Sequence, residues 1–131
     1  MSKLRIIVAD DNPAFLRELT SLLAAEFEVV ATATDGNSAL DLIRRYKPDL
    51  VVLDLVMPAL NGIEVSQELA KSSSSPPVVI CSVETDPEVV EAARQAGAVA
   101  HVFKMRVQKD LILAVKSALQ GKFFVSPSSS Q

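Results

Sequence analysis

Along the chain, apolar runs of strand length alternate with longer stretches whose apolar residues recur every three or four positions. Residues 4–9 (LRIIVA) predict a strand. Asn12-Pro13 then supplies a helix cap followed by proline at the first helical position, and Phe15, Leu16, Leu19, Leu22 and Leu23 share one face of the helix that follows. Residues 28–34 predict a second strand, which Asp35-Gly36-Asn37 breaks. The next helix turns Ala39, Leu40, Ile43 and Tyr46 inward and runs to Lys47-Pro48. Residues 49–54 (DLVVLD) predict a third strand whose interior is continuously apolar, as suits a strand covered on both faces. Asn61-Gly62 opens a short helix with Ile63 and Leu69, residues 72–77 (SSSSPP) form a loop, and residues 78–82 (VVICS) predict a fourth strand. Asp86-Pro87 caps a helix carrying Val89, Val90, Ala93 and Ala96, which Gly97 stops. Residues 99–103 predict a fifth strand, and a last helix with Leu111, Ile112, Val115, Ala118 and Leu119 ends near Gly121.

Five strand–helix units without an internal repeat predict an α/β domain: a doubly wound (βα)5 parallel sheet between two helical layers. Right-handed crossovers put the C-terminal ends of all the strands on one edge. Ligands of such sheets bind outside those ends, where the strand order reverses. A chain of 131 residues, 49% of them hydrophobic, suits one such domain. It is expected over residues 1–122. Residues 123–131 are expected to be a disordered C-terminal linker, because residues 126–131 lack apolar anchors, with no effector domain in this chain. The net charge of −3 offers no basic field to nucleic acid, so no direct nucleic-acid binding is expected. No apolar run approaches the roughly 18 residues that span a bilayer, and the N-terminus lacks signal-peptide architecture, so no membrane association is expected. The single cysteine, Cys81, can form no internal disulfide and reads as a small buried hydrophobe; a reducing, cytoplasmic location follows.

Polar residues collect at the predicted strand ends: Asp10 and Asp11 after the first, Asp54 at the third, Ser82 at the fourth, Lys104 after the fifth. The predicted fold brings all five to one sheet edge. Two unit charges about 4 Å apart repel by roughly 4 kcal/mol at an effective dielectric of 20, against a domain stability of about 5–15 kcal/mol. Three carboxylates there must spread apart, stay partly protonated or hold a cation. An oxygen-only set, joined by a backbone carbonyl, suits Mg²⁺. The Cys/His pairs of a zinc site are missing, His101 being the only histidine. Beside such a cation Asp54 can attack a phosphoryl group and form an acyl phosphate. Lys104 would pair with that group as a point charge, and Ser82 would donate a hydroxyl hydrogen bond to it. Plainer readings exist for each residue. An Asp-Asp pair before a helix ordinarily complements the helix N-terminus, Asp54 is a solvated strand end, Ser82 a turn residue and Lys104 a solvated cation. Their joint placement on one edge favours the site.

The segments VADDN (8–12), PDLVVLDLVMP (48–58), Asn61-Gly62, Ser82, Gly97-Ala98 and Lys104 follow one another in an order and spacing that resembles the receiver domain of bacterial two-component response regulators, over nearly the whole chain. The resemblance implies the flavodoxin-like five-stranded order 2-1-3-4-5. It implies Asp10, Asp11, Asp54 and the backbone carbonyl of Val56 as Mg²⁺ ligands, Asp54 as phosphoacceptor, Ser82 and Lys104 as phosphoryl-binding groups, and Ser82 with His101 as switch residues. It implies a sensor histidine kinase as phosphoryl donor and a changed protein interface as output. No enzymatic turnover is implied beyond the chain's own phosphorylation and dephosphorylation. A homodimer is compatible with it, without a motif that points to one. Residues 121–127 (GKFFVSP) resemble the segment that leaves the receiver in LuxR/NarL-type transcription regulators, in which a helix-turn-helix domain follows.

Three positions depart from the family pattern. Met105 stands where many receivers have proline after the lysine, often across a cis bond; a non-proline cis bond costs about 3–4 kcal/mol, which leaves the Lys104–Met105 geometry open. His101 replaces the commoner Tyr or Phe, and its plain reading is a surface histidine. Val56 offers no side-chain hydrogen bond to an attacking water. Three other functions compete. A flavodoxin-like cofactor binder needs a glycine- and hydroxyl-rich phosphate loop where this chain has Asp10-Asp11-Asn12-Pro13. A phosphatase with an aspartyl-phosphate intermediate resembles an Asp nucleophile followed two residues later by an acid–base Asp, where Val56 stands. A degenerate, unphosphorylated receiver acting only through protein contacts would usually have lost its acidic pair, hydroxyl or lysine, and all are present.

Overall fold

A computed structural model describes residues 3–127. The elements in chain order are β1 (Arg5–Ala9), α1 (Pro13–Ala24), β2 (Glu28–Ala33), α2 (Gly36–Tyr46), β3 (Leu50–Asp54), α3 (Gly62–Ala70), β4 (Val78–Ser82), α4 (Pro87–Gln95), β5 (Ala98–Phe103), α5 (Val107–Leu119) and β6 (Phe124–Val125), with a 3-10 turn at Lys104–Arg106 between β5 and α5. All strand pairs are parallel, and the sheet order is β2-β1-β3-β4-β5-β6. The expected 2-1-3-4-5 order is present within it, and the sheet is six-stranded rather than five-stranded. β6 lies against β5, pairing Phe124 with Ala100 and Val125 with His101. The disordered tail expected from residue 123 therefore does not begin there: Phe124 and Val125 form a strand and Ser126 is buried. Residues 128–131 of that expected tail lie outside the described residues.

The pleat sorts the strand side chains into two cores. Ile6, Val8, Val52, Cys81 and Val102 face Leu19 and Leu23 of α1 and Leu111 and Val115 of α5. Ile7, Ala9, Val51, Leu53 and Ile80 face Leu40 and Ile43 of α2, Val65 and Leu69 of α3, and Ala93 of α4. Every residue of β3 and β4 is buried, which is why their apolar runs show no alternation in the sequence. Tyr46 does not point inward as its helical spacing predicts; it is exposed at the C-terminal end of α2, where Lys47 turns the chain left-handed (φ 48°). No peptide bond is cis among the described residues, so Lys104–Met105 is trans and Met105 stands exposed.

Helix starts are fixed by side-chain caps that the sequence announces. Asn12, Asp35, Asn61 and Asp86 each accept a hydrogen bond from a backbone N–H in the first turn of α1, α2, α3 and α4, and Asn61 with Glu64 closes a reciprocal capping box. The α3 start matters most for the sheet edge. The Gly62 N–H donates to the Leu55 carbonyl at 2.9 Å, bringing the helix against the end of β3. A Cβ at Gly62 would stand 2.6 Å from the Asp54 carbonyl oxygen and 3.2 Å from Leu55 Cα, and neither backbone atom can yield cheaply. Gly62→Ala should therefore destabilise the domain by about 1–3 kcal/mol, measured by urea denaturation; an unchanged midpoint would mean that the end of β3 is free to move.

Candidate functional site

Asp10 and Asp54 continue the pleat register of Val8 and Val52, and Lys104 that of Val102, so all three leave the sheet on the side of α1 and α5. The ends of β1, β3 and β5 thus converge where the strand order reverses. Asp10 is fully buried and Asp54 is 4% exposed, whereas Asp11 is exposed. One oxygen of each of Asp10, Asp11 and Asp54 lies within 4.8 Å of the others. Lys104 enters from β5: its Nζ stands 2.9 Å from Asp10 Oδ2 and 3.3 Å from Asp54 Oδ2, and 4.5 Å from the centre of the Phe15 ring. The remaining oxygens are held by main chain. Asp10 Oδ1 accepts from the Asn12 N–H at 2.9 Å, and Asp54 Oδ1 accepts a long bond from the Val56 N–H at 3.4 Å.

Burial and the nearby Asp10 carboxylate push the Asp54 carboxyl up to about 6, and Lys104 only partly offsets them. Burial alone would lower the Lys104 ammonium, but its close charge pairing with Asp10 and Asp54 overcomes that and leaves it raised. The carboxylates are therefore relieved in two ways at once, by an internal cation and by a carboxyl that ionises reluctantly. Asp10 Oδ2 has the Lys104 ammonium beside it yet no aligned hydrogen bond. A buried oxygen with unused acceptor capacity beside an exposed Asp11 fits a hard divalent cation entering from solvent.

Ser82 and His101 form a second group. Ser82 Oγ lies 3.1 Å from His101 Nε2 and donates to the Glu84 carbonyl at 3.0 Å. His101 is not a surface histidine: it is 1% exposed, its ring meets Phe103 edge-on at 5.8 Å, and burial pushes it down to about 4. Its Nδ1 has no partner. A bare acceptor is less costly to bury than an unpaired donor, so the tautomer with the proton on Nε2, donated to Ser82, is favoured. Among the described residues Val56, Val83 and Met105 are the most exposed large apolar side chains; Val83 and Met105 directly follow Ser82 and Lys104, and Val56 comes two residues after Asp54. Asn12, not the Asp pair, caps α1. Cys81 is buried, its thiol pushed well above the ordinary range by burial.

Sequence reasoning missed three residues that shape this edge. Phe15 reads as a core position of α1, and nothing in its spacing signals the Lys104 ammonium over its ring. Asp110 reads as a polar position in the last helix; it is 4% exposed and accepts from Arg106 Nε at 2.7 Å. Ser126 reads as tail, and its only sequence signal is the pair of phenylalanines and the valine before it.

A family model described as "Response regulator receiver domain" matches residues 6–116. The chain is 33% identical over 128 residues to the transcriptional regulatory protein DegU of Brevibacillus brevis, covering 96% of this chain and 54% of that protein. It is 31% identical over 128 residues to the probable transcriptional regulatory protein NarL of Mycobacterium tuberculosis, covering 96% and 59%. The chain thus spans about half the length of these curated relatives. Among solved structures, the signal receiver domain of the putative response regulator NarL from Mycobacterium tuberculosis superposes with a TM-score of 0.88 at 30% identity, over 93% of this chain and all of that one. A LuxR-family two-component response regulator from Aurantimonas sp. superposes with a TM-score of 0.90 at 30% identity, over 96% and 91%.

The two buried titrating groups act on stability in opposite directions. Folded Asp54 keeps a proton to about pH 6 that the unfolded chain releases near 4, so its contribution falls as pH rises across that window, by about 3 kcal/mol. Folded His101 stays neutral down to about 4 while the unfolded chain protonates near 6.5, so its contribution falls as pH drops across that window, by about 3 kcal/mol. Without divalent cation, urea denaturation at pH 4.5 and 6.5 should show Asp54→Asn gaining stability with rising pH relative to wild type, and His101→Phe losing it. Shifts of the same sign in both variants would rule this assignment out.

Proposed function

Because the chain belongs to the response regulator receiver family, in its LuxR/NarL-like branch, we propose that it accepts a phosphoryl group on Asp54 from the phosphohistidine of a sensor kinase and passes on the change as an altered protein interface. Receivers are signalling modules rather than classical enzymes. The observation that carries the proposal is the near-complete burial of the Asp54 carboxylate among Asp10, Asp11 and Lys104, at the point where the strand order reverses. That arrangement costs stability as it stands, and acceptance of a phosphoryl group is a chemistry that explains it.

In the proposed step a carboxylate oxygen of Asp54 attacks phosphorus while the bond to the donor imidazole breaks. Asp10, Asp11, Asp54 and the Val56 carbonyl would hold Mg²⁺, which supplies charge neutralisation for the phosphoryl oxygens. Lys104, already between Asp10 and Asp54, is placed to exchange the Asp54 carboxylate for a phosphoryl oxygen without leaving the pocket. Ser82 would rotate about Cα–Cβ, carrying Oγ away from both the Glu84 carbonyl and His101 Nε2 and toward the new acceptor. That would leave the His101 ring, already lacking a partner on Nδ1, without its bond on Nε2 as well. An unpaired buried donor costs about 1–3 kcal/mol, enough to shift a two-state equilibrium involving β5 and its neighbours. The relatives' printed roles in transcription support a DNA-binding output in the parent protein, with this chain contributing its receiver. A cytoplasmic setting belongs to the same proposal; among the described residues no helix is long and apolar enough to cross a membrane.

Incubation with acetyl phosphate and Mg²⁺ should add one phosphoryl mass to the intact chain, and Asp54→Asn should abolish the gain; equal gain in both would sink the reading. Val56 is exposed beside the attacked bond, so Val56→Asn, which can hydrogen-bond a water there, should shorten the half-life of the phosphorylated chain. Equal half-lives would remove Val56 from the account.

A further inference from the structure

The C-terminal segment is tied to the part of β5 that carries two site residues. Ser126 is 3% exposed and makes two bonds to β5: its N–H donates to the His101 carbonyl at 2.9 Å, and its Oγ accepts from the Phe103 N–H at 3.0 Å. His101 holds Ser82, and Phe103 immediately precedes Lys104. The far side of the 3-10 turn bearing Lys104 is fixed by Arg106, which donates to Asp110 at 2.7 Å. Burial alone would raise the Asp110 carboxyl, but Arg106 and the Ser126 side chain hold it below the usual carboxylate range. The turn has no side-chain cap of its own.

The attachment is also light enough to come and go. β6 has only two residues, both half-buried, and Phe123 before it is exposed, stacked under the Arg94 guanidinium of α4 at 4.2 Å. A short segment held by a few contacts at the edge of a sheet opens far more readily than the core it rests on.

From this we infer that Ser126 is a positioning residue for Lys104 and the Ser82–His101 pair, so that docking of the Phe124–Val125 strand and the state of the Asp54 site report on each other. The inference rests on Asp54 being the phosphoacceptor for its kinetic consequence, and on geometry alone for its structural one. Coupling of this kind is reciprocal: what one site does to the other, the other does in return.

The test perturbs each end in the full chain, under conditions where circular dichroism shows every variant folded. With acetyl phosphate and Mg²⁺, Ser126→Ala should gain phosphoryl mass about five-fold more slowly than wild type. Ser126→Thr, which keeps the hydroxyl, should recover most of the rate, and Leu119→Ala, which loosens α5 at its distant end, should leave it unchanged. In the reverse direction, Asp54→Asn removes one of the two anionic partners of Lys104 and should change the hydrogen-exchange rate of the Ser126 amide about five-fold. Wild-type phosphorylation in Ser126→Ala, or equal slowing in Leu119→Ala, would overturn the inference. If wild type takes up no phosphoryl group, the phosphoacceptor reading falls by itself, and the exchange measurement still decides the coupling: an unchanged Ser126 amide overturns it, a changed one upholds it.

Discussion

Two carboxylates buried side by side at a sheet edge need a cation, and Lys104 supplies it by lying 2.9 Å from Asp10 and 3.3 Å from Asp54. Much of the architecture follows from bringing those three groups together. Asp10 ends β1, Asp54 ends β3 and Lys104 follows β5, so the parallel strands must finish at one edge and in one register. Gly62 lets α3 begin against the Asp54 backbone. Phe15 closes the α1 side with a ring face on which an ammonium group is comfortable. Remove the lysine, and the fold would keep two buried acids with nothing opposite them, a loss of several kcal/mol where one partner of a buried pair is deleted.

The site has two halves with different chemistry. On the α1 and α5 side are charges: the Asp10 and Asp54 carboxylates and the Lys104 ammonium, within reach of a cation through exposed Asp11. Ser82 and His101 form a neutral pair in which hydrogen-bond donors and acceptors are nearly matched, with one histidine nitrogen left over. On the proposed reading the first half would accept a charged group and the second would register that acceptance, because moving one hydroxyl changes whether a buried imidazole is satisfied. A histidine suits this role differently from a phenol: its polar atoms lie inside the ring, so it can stay fully buried and still be engaged.

Most of the fold was legible because its signals are local. The caps at Asn12, Asp35, Asn61 and Asp86 and the apolar runs of β3 and β4 are readable residue by residue. The positions of Asp10, Asp54 and Lys104 were legible because strand ends in this topology share an edge. What escaped depends on tertiary contact. Tyr46 satisfies the helical spacing of an inward residue but falls past the point where the sheet covers α2. Phe124-Val125 is too short to announce a strand and becomes one only because β5 leaves an edge to pair with. Ser126 and Asp110 carry the polar character of surface residues; Ser126 is buried because β5 supplies its partners, and Asp110 because Arg106, one turn before it, covers its carboxylate.

β6 also changes what the rest of the sheet presents to other molecules. Without it, the outer side of β5 would offer a row of unpaired N–H and C=O groups, the template on which strands from another chain can add. With it, that boundary moves to a strand of two residues, followed by Ser126 turned inward and by Pro127, which has no N–H to donate. So short and proline-ended a margin gives little purchase to an incoming strand. The same few residues therefore guard a concentrated solution of this protein against growth from that edge, a colloidal benefit distinct from any part they take in signalling.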